Sequence, residues 1–274
     1  KKSFFIPSDA PSVINIDDSY GRQLFKEVVN QSKYPTISVG ESADAIIRFS
    51  NVKLSRNHTS FLLSYPGGSE MIDIKLLGRH NIYNVVTAFS MALAYGIKPE
   101  KISHALVMAE PVRGRLELVQ VKNCEASFFI DYAHTPDAIK NVLDALREIT
   151  KGRLIIVFGA GGDRDHGKRP LMGSVANQLA DICIITSDNP RSEKPLDIIN
   201  NIVAGIPGTS VCGTADAVRE VYIEPDRRAA IRLAASLTAS PDDVVLIAGK
   251  GHETYQIFAD RTEHFDDREE LLSI

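Results

Sequence analysis

Four short segments of this sequence combine charged side chains with glycine or proline, and each follows an apolar run that predicts a β-strand. They are residues 131–136 (DYAHTP), 159–170 (GAGGDRDHGKRP), 187–191 (SDNPR) and 249–253 (GKGHE). In open parallel sheets, ligands bind outside the carboxyl ends of the strands. The side chains of these four segments are therefore the first candidates for a binding site.

Segment 187–191 places a carboxylate, an amide and a guanidinium around one proline. Asp188 could accept an ammonium group, and Arg191 could hold a carboxylate through two parallel hydrogen bonds. Asn189 adds an amide, and Pro190 stiffens the backbone. Together these groups match a zwitterionic amino acid, although an Asx-turn beside a solvated arginine is the alternative.

Segment 159–170 contains part of a phosphate-loop motif. Residues 162–168 match G-x-x-x-x-G-K, but Arg169 follows where the motif needs Ser or Thr to ligate magnesium. We therefore reject a P-loop. Clustered glycines beside Arg164, Lys168 and Arg169 at a predicted helix start instead favour an anion-binding turn, and a purely structural glycine turn is the alternative.

The other two segments give weaker signals. Gly249 permits close backbone approach, and Glu253 offers a second acceptor for an ammonium group, although an ordinary turn explains the same pattern. Asp131, at a strand end, could accept two hydroxyls of a ribose. The alternative is that Asp131 and Thr135 are turn and capping residues.

Outside these segments, Asn81 and Asn84 lie three positions apart at the head of a predicted helix and so share one face. They could contact an adenine edge, and helix capping by Asn81 is the alternative. Arg113 and Arg115, in the string PVRGR, could contact phosphate or lie at a domain interface.

The pattern of predicted elements changes at the PVRGR string, which predicts one domain over residues 1–111 and another over 112–274. The first part contains predicted strands over 12–17, 45–55, 59–65 and 71–77 and helices over 21–32, 80–95 and 99–108. The second has predicted strands over 116–121, 127–131, 153–158, 181–186, 221–224 and 244–248, with helices over 136–150, 170–180, 196–204 and 226–237. Their alternation predicts βαβ units and a largely parallel sheet, so the fold class is α/β.

Composition excludes several classes of protein. Hydrophobic and charged fractions of 44% and 24% are typical of soluble globular chains, and a net charge of −4 gives no reason to expect a nucleic-acid partner. No apolar run approaches the roughly 20 residues of a membrane helix, so we expect no membrane partner and a cytoplasmic location. Cys124, Cys183 and Cys212 lack a C-x-x-C pair, which disfavours a disulfide framework or a zinc site.

Taken together, these segments resemble the Mur ligases, ATP-dependent amide-forming enzymes of peptidoglycan precursor synthesis, and in particular the branch that adds diaminopimelate. The strings that carry the resemblance occur in the family's order: INIDDSYGR, GRHNIYNVVTA, PVRGRLE, DYAHTPDAI, GAGGDRDHGKRPLMG, TSDNPRSE, VVLIAGKGHETYQI and HFDDRE. The resemblance implies a ligase that joins meso-diaminopimelate to UDP-N-acetylmuramoyl-L-Ala-D-Glu through an acyl phosphate. ATP and Mg²⁺ are the implied cofactors.

The resemblance also implies roles for individual residues. Diaminopimelate would be bound by Arg164, Asp188, Asn189, Pro190, Arg191, Gly249 and Glu253. ATP would be contacted by Asn81, Asn84, Arg115 and Asp131. Lys1 occupies the position of a lysine that is carbamylated in the family and helps to bind magnesium, although Phe4 replaces the usual leucine. No side chain is an obvious covalent catalyst.

The implied architecture is the rear part of a Mur-type central ATPase domain, followed by a Rossmann-like C-terminal domain that binds the amino acid. The family's UDP-binding domain and phosphate loop are missing from the sequence, so we expect this chain alone to be inactive. The course of residues 208–222 is not predicted.

Two alternatives stay open. One is a folylpolyglutamate-synthase-like ligase, which the strings DNPR and GKGHE disfavour. The other is a non-catalytic amino-acid-binding fragment. A Rossmann dehydrogenase is disfavoured because no G-x-G-x-x-G follows a predicted strand.

Overall fold

The computed structural model describes residues 5, 9–122, 124–207 and 220–274. The chain forms two compact units, one ending at Glu110 and the other beginning at Pro111. Each unit has its own sheet and its own apolar core.

The first unit is built on a five-stranded sheet whose order follows the chain. Its strands are β1 (Ser12–Asn15), β2 (Thr36–Gly40), β3 (Ile47–Leu54), β4 (Thr59–Tyr65) and β5 (Gly68–Ile74). Its helices are α1 (Ser19–Val29), α2 (Arg79–Ala94) and α3 (Pro99–Val107). Strands β1 to β3 are parallel and β3 to β5 antiparallel. Helix α2 buries Ile82, Val86 and Phe89 in the core beside the sheet.

The second unit is built on a six-stranded sheet of order β10-β9-β8-β11-β7-β6. Its strands are β6 (Glu117–Val119), β7 (Ser127–Asp131), β8 (Leu154–Phe158), β9 (Ile182–Ile185), β10 (Glu220–Ile223) and β11 (Val244–Ala248), with a separate hairpin of β12 (Tyr255–Ile257) and β13 (Thr262–His264). Its helices are α4 (Pro136–Arg147), α5 (Lys168–Leu179), α6 (Pro195–Val203), α7 (Arg227–Leu237) and α8 (Asp267–Leu272).

All pairs in the six-stranded sheet are parallel except β6 with β7. The central strands β8, β9 and β11 are buried along their whole length, as their unbroken apolar sequences LIIVF, ICII and VVLIA require. Helices α4, α5 and α6 pack in one row, and α7 packs with α8. The predicted α/β class and largely parallel sheet are confirmed.

Several predicted boundaries are wrong, and the errors have local causes. The strand predicted over 116–121 is only the three-residue, antiparallel β6. Helix α5 begins at Lys168 rather than at Pro170, because a proline within the first helical turn removes no intrahelical hydrogen bond. The elements β2, β12, β13 and α8 were not predicted. No helix within the described residues is long and apolar enough to cross a membrane.

Candidate functional site

The four segments singled out in the sequence follow β7, β8, β9 and β11, which are neighbours in the six-stranded sheet. Because these strands are parallel, the segments emerge at one edge, where they line an open cleft of about 380 Å³. Residues predicted to bind an amino acid that line this cleft are Arg164, Asp188, Asn189, Arg191, Gly249 and Glu253.

Pro190 is the predicted binding residue that does not line the cleft. Pro190 is buried, and its carbonyl oxygen lies close to Gly162. A Cβ added to Gly162 would lie only 1.9 Å from this oxygen. Its ring carries no hydrogen-bonding group, and this close contact supports a role in holding the loop. A role of Pro190 in binding diaminopimelate stays a prediction.

Asn189 lies at the centre of a polar network beneath the cleft and is only 4% exposed. Its Oδ1 accepts hydrogen bonds from the Ile257 N–H at 3.0 Å and from Lys250 Nζ at 3.3 Å. Its Nδ2 donates to Glu253 Oε2 at 2.9 Å. The reversed amide would set N–H groups against two donors and an oxygen against a carboxylate, so this network defines the amide orientation.

Two carboxylates line the cleft with acceptor capacity left over. Asp188 is 6% exposed, and no described residue donates a hydrogen bond to its side chain. Glu253 uses Oε2 for Asn189, whereas its Oε1 has no hydrogen-bond partner in the part of the chain that the structure describes. Partly desolvated, unpaired carboxylate oxygens of this kind suit an ammonium group.

Position 249 requires a glycine, because of its backbone conformation and its closeness to Asp188. Its φ of 115° is a conformation that other residues rarely adopt. A Cβ at this position would lie 2.6 Å from Asp188 Oδ2. The absence of a side chain therefore keeps the Asp188 carboxylate where it lines the cleft.

Arg191 places its guanidinium in the same cleft. Its Nη1 donates to the Gly162 carbonyl at 2.8 Å, which leaves other N–H groups for a ligand, and its backbone N–H donates to Ile257 O at 3.0 Å. Its φ of +51° is strained for an arginine and is stabilised by these contacts. Arg164 is exposed at the cleft and adds a second cation.

Arg169 does not belong to an anion-binding turn, which corrects one expectation. Its guanidinium is buried and pairs with both oxygens of Glu193, at 2.9 and 2.7 Å. It also donates to Asn201 Oδ1 at 3.1 Å. Hydrogen bonds from Arg169 lower the pKa of Glu193 to about 2. Arg169 therefore ties the glycine loop to the segment that follows Arg191, and Arg164 and Lys168 are the basic residues of this loop that line the cleft.

Tyr132, His134, Lys168 and Tyr255 also line the cleft, although the sequence analysis assigned none of them to an amino-acid site. The Tyr132 ring lies 4.7 Å from the His134 ring, and burial raises the pKa of its hydroxyl, with Glu253 and Asp188 adding to the effect. Tyr132 and His134 could have been suspected because they belong to the DYAHTP string. Tyr255, the first residue of β12, lies two residues after Glu253 in the string VVLIAGKGHETYQI but was given no role.

Asp131 and Arg115 are the predicted ribose and phosphate contacts of the second unit. Each Asp131 oxygen accepts a backbone N–H at 2.8 Å, from Ala133 and from Leu116, so the carboxylate has the predicted turn-forming role. The ribose contact of Asp131 stays a prediction. Arg115 is exposed, 5.0 Å above the Tyr132 ring centre. The predicted capping role of Thr135 is confirmed, since its Oγ1 accepts from Ala138 N–H at 3.2 Å.

Asn81 and Asn84 lie on one face of the first turns of α2, as their spacing predicted. Asn84 Nδ2 donates to Asn81 Oδ1 at 3.0 Å, and Asn81 Nδ2 donates to the Leu77 carbonyl at 2.8 Å. The alternative of N-capping by Asn81 is wrong, because the cap is Gly78 with a φ of 86°. The adenine contact stays a prediction.

The magnesium prediction rests on Lys1, which lies outside the described residues. Within the described part of the chain, no cluster of three or more His, Cys, Asp or Glu residues could hold a metal ion. Residues 208–219, which include Cys212, also lie outside the described residues.

The fold and the cleft define an α/β protein with an open, charged cleft at the carboxyl ends of its parallel strands. Residues 1–92 match the family described as Mur ligase middle domain, and residues 114–251 match Mur ligase, glutamate ligase domain. The chain therefore belongs to the Mur ligase family.

Two curated relatives are named UDP-N-acetylmuramoyl-L-alanyl-D-glutamate–2,6-diaminopimelate ligase. Ligase 1 from Clostridium acetobutylicum is 43% identical over 269 residues, which cover 98% of this chain and 53% of the relative. The enzyme from Caldanaerobacter subterraneus is 44% identical over 274 residues, or 100% of this chain and 54% of the relative. The chain thus spans about half the length of the curated relatives it matches.

Solved structures agree with this assignment. One of a UDP-N-acetylmuramoyl-L-alanyl-D-glutamate–2,6-diaminopimelate ligase is 33% identical, with a TM-score of 0.67, and the match covers 96% of this chain and 52% of that one. The folylpolyglutamate synthase of Thermotoga maritima gives a TM-score of 0.65 at 16% identity, covering 89% of this chain and 52% of that one. The latter likeness shows a shared fold alone.

Proposed function

We propose that this chain supplies the amino-acid site of an ATP-dependent ligase that joins meso-diaminopimelate to UDP-N-acetylmuramoyl-L-Ala-D-Glu. The observation that carries the proposal is the convergence of Asp188, Glu253, Arg164 and Arg191 in one cleft around the fixed amide of Asn189. The names of relatives at 43% and 44% identity support the same reaction.

The chemistry of the cleft matches one end of diaminopimelate. That end carries an ammonium group, for which Asp188 and the free oxygen of Glu253 are acceptors. It also carries a carboxylate, for which Arg191 and Arg164 are donors. Lysine has the ammonium group but lacks this carboxylate, so it would leave a guanidinium desolvated and unpaired. A site built to bind a polar group of its substrate strongly rejects analogues that lack this group.

In the proposed reaction, ATP transfers its γ-phosphoryl group to the γ-carboxylate of D-glutamate and forms an acyl phosphate. The free amine at the other end of diaminopimelate then attacks the carbonyl carbon. The amine loses a proton, and the carbon–oxygen bond breaks to release phosphate and leave an amide. The cleft residues contribute by holding the amino acid so that its amine is oriented, and none forms a covalent intermediate.

For ATP, Asn81 and Asn84 stay the proposed adenine contacts, and Arg115 and Asp131 the proposed phosphate and ribose contacts. Magnesium, when bound, would offset the charge of the phosphates. The proposed location is the cytoplasm.

The test is phosphate release by the complete protein with ATP, UDP-N-acetylmuramoyl-L-Ala-D-Glu and either diaminopimelate or lysine. We expect product with diaminopimelate and at least ~10³-fold lower kcat/KM with lysine. Equal activity with both amino acids would contradict the assignment of the cleft. Diaminopimelate binding in calorimetry without any ATP-dependent product would favour a non-catalytic binding protein.

A further inference from the structure

Lys250 is a charged residue of the cleft region to which the proposed reaction gives no role. Its side chain is 0% exposed, so it cannot contact a ligand in the cleft directly. Its Nζ lies 3.3 Å from Asn189 Oδ1, 3.5 Å from Glu253 Oε2 and 5.6 Å from the centre of the Tyr255 ring. It is therefore in contact with two side chains that line the cleft.

Burying this ammonium group is costly. Burial lowers the pKa of Lys250, with Arg227 acting in the same direction, and the negative charges of Asp188, Asp267 and Glu253 oppose the shift. A buried cation is stable only when it is paired, and an apolar residue of similar volume would fill the same space at lower cost. Its presence at the base of a binding cleft is thus a reason to look for a role beyond packing.

That role follows from the two groups Lys250 contacts. By donating to Asn189 Oδ1, it helps to turn the amide so that Nδ2 faces Glu253 and one N–H remains for a ligand. Its positive charge also lies behind Glu253, which shares the cleft with Asp188. Two carboxylates close together disfavour each other's ionised form, and a buried cation offsets that repulsion.

We propose that Lys250 is a positioning residue that sets the donor and acceptor arrangement of the amino-acid site through Asn189 and Glu253. This inference rests on the proposed function, because it assumes that the cleft binds an amino acid with an ammonium group and a carboxylate. Lys250 acts behind the site, so its removal should weaken amino-acid binding in the ground state and transition state alike. Such a loss raises KM and leaves kcat at saturation nearly unchanged.

The experiment compares Lys250→Met and Lys250→Gln with the unmodified protein, using the complete enzyme and steady-state kinetics. For K250M we expect the KM for diaminopimelate to rise roughly tenfold to hundredfold, as for loss of a charged hydrogen-bond donor, while the KM for ATP stays within about twofold. K250Q should lose less, since it keeps an N–H donor. The matched control is Lys140→Met, an exposed helix lysine paired with Asp144, which should leave both KM values unchanged.

A double-mutant cycle with Glu253→Gln separates this role from a general effect on folding. If Lys250 acts through Glu253, its replacement in the E253Q protein should cost roughly threefold or less in KM. The inference would be overturned if the KM increases caused by the Lys250 replacement and by E253Q multiplied in the double variant. It would also be overturned by an unchanged KM for diaminopimelate in both K250M and K250Q. If K250M does not fold, as judged by its thermal melt, K250Q carries the cycle. Absence of diaminopimelate-dependent activity in the unmodified protein would instead contradict the proposed function.

Discussion

Two charged clusters lie near each other in the second unit, and they differ in how far their charged groups are paired within the protein. Arg227 and Asp267 form a pair with both side chains 0% exposed. The guanidinium makes two 2.8 Å bonds to the carboxylate and a third, at 3.0 Å, to the Ala248 carbonyl. In the neighbouring cleft, Asp188 has no side-chain hydrogen bond from any described residue.

The contrast separates a structural ion pair from a proposed binding site. The Arg227 pair ties α7 to the start of α8 and to the end of β11, next to Gly249. Both side chains are fully buried, so the pair is out of reach of a ligand and serves as a support. The cleft cluster keeps donors and acceptors unused at the protein surface, as the proposed binding of an amino acid requires. We expect changes in the first cluster to reduce stability and changes in the second to reduce binding.

The largest effect should come from breaking the Arg227–Asp267 ion pair. Replacing Arg227 with Met leaves Asp267 buried without its counter-ion, so the free energy of unfolding should fall by about 3–5 kcal/mol. Urea denaturation of the 274-residue chain measures this loss. The double variant Arg227→Met with Asp267→Leu should recover part of it, because it removes both charges. A single variant as stable as the unmodified chain would refute the assigned role.

The next effect concerns Arg191 and should appear in binding. Arg191→Ala removes the proposed partner of the second diaminopimelate carboxylate, so the amino acid should lose about 2–4 kcal/mol of apparent affinity. Lysine, which lacks that carboxylate, should lose much less. Competition between the two amino acids in the complete enzyme measures the difference. Equal losses would mean that Arg191 is structural, through its bond to Gly162.

Asp188→Asn should affect both amino acids alike. The change keeps the size of the side chain and removes the charge proposed to hold an ammonium group that diaminopimelate and lysine share. A loss of about 1.5–3 kcal/mol is expected for each. The same competition assay applies, and a loss confined to diaminopimelate would show that Asp188 faces a different group.

The smallest effect is a pH dependence of stability at the Arg169–Glu193 joint. The pKa of Glu193 is lowered to about 2 from its ordinary 4.5, so its contribution is fully present above pH 4.5 and is lost as the pH falls towards 2. Glu193→Gln should remove this part of the pH dependence. The difference between unfolding curves of the two proteins from pH 6 to 2 isolates it from other carboxylates. Parallel curves would contradict the pairing.

Much of the fold was predictable because the central strands are unbroken apolar runs. The sequences at β8 and β11 have few other stable environments than the interior of a parallel sheet. Short elements were missed for the opposite reason. Strands such as β12 and β13 span three residues and exist because each pairs with the other, which no local pattern reveals.

The candidate site shows the same division. Asp188, Arg191 and Glu253 were predicted from charge, glycine and proline at strand ends, and they line one cleft. Arg169 was misassigned, because its sequence neighbours do not show that Glu193, on another loop, takes its hydrogen bonds. Lys250 lies in the segment GKGHE but was given no role, since burial of a lysine is invisible in sequence.

By itself, the sequence determined which groups are available and near which strand ends they lie. Both can be read from the sequence, because apolar runs mark the strands, and glycine and proline restrict the backbone within a few residues of themselves. Only the tertiary structure decided which charges are satisfied and which stay free. Arg169 and Arg191 have the same chemistry, yet one is enclosed by Glu193 and Asn201 and the other lines the cleft. Because desolvation and pairing depend on residues distant in the chain, folding separates the support from the site.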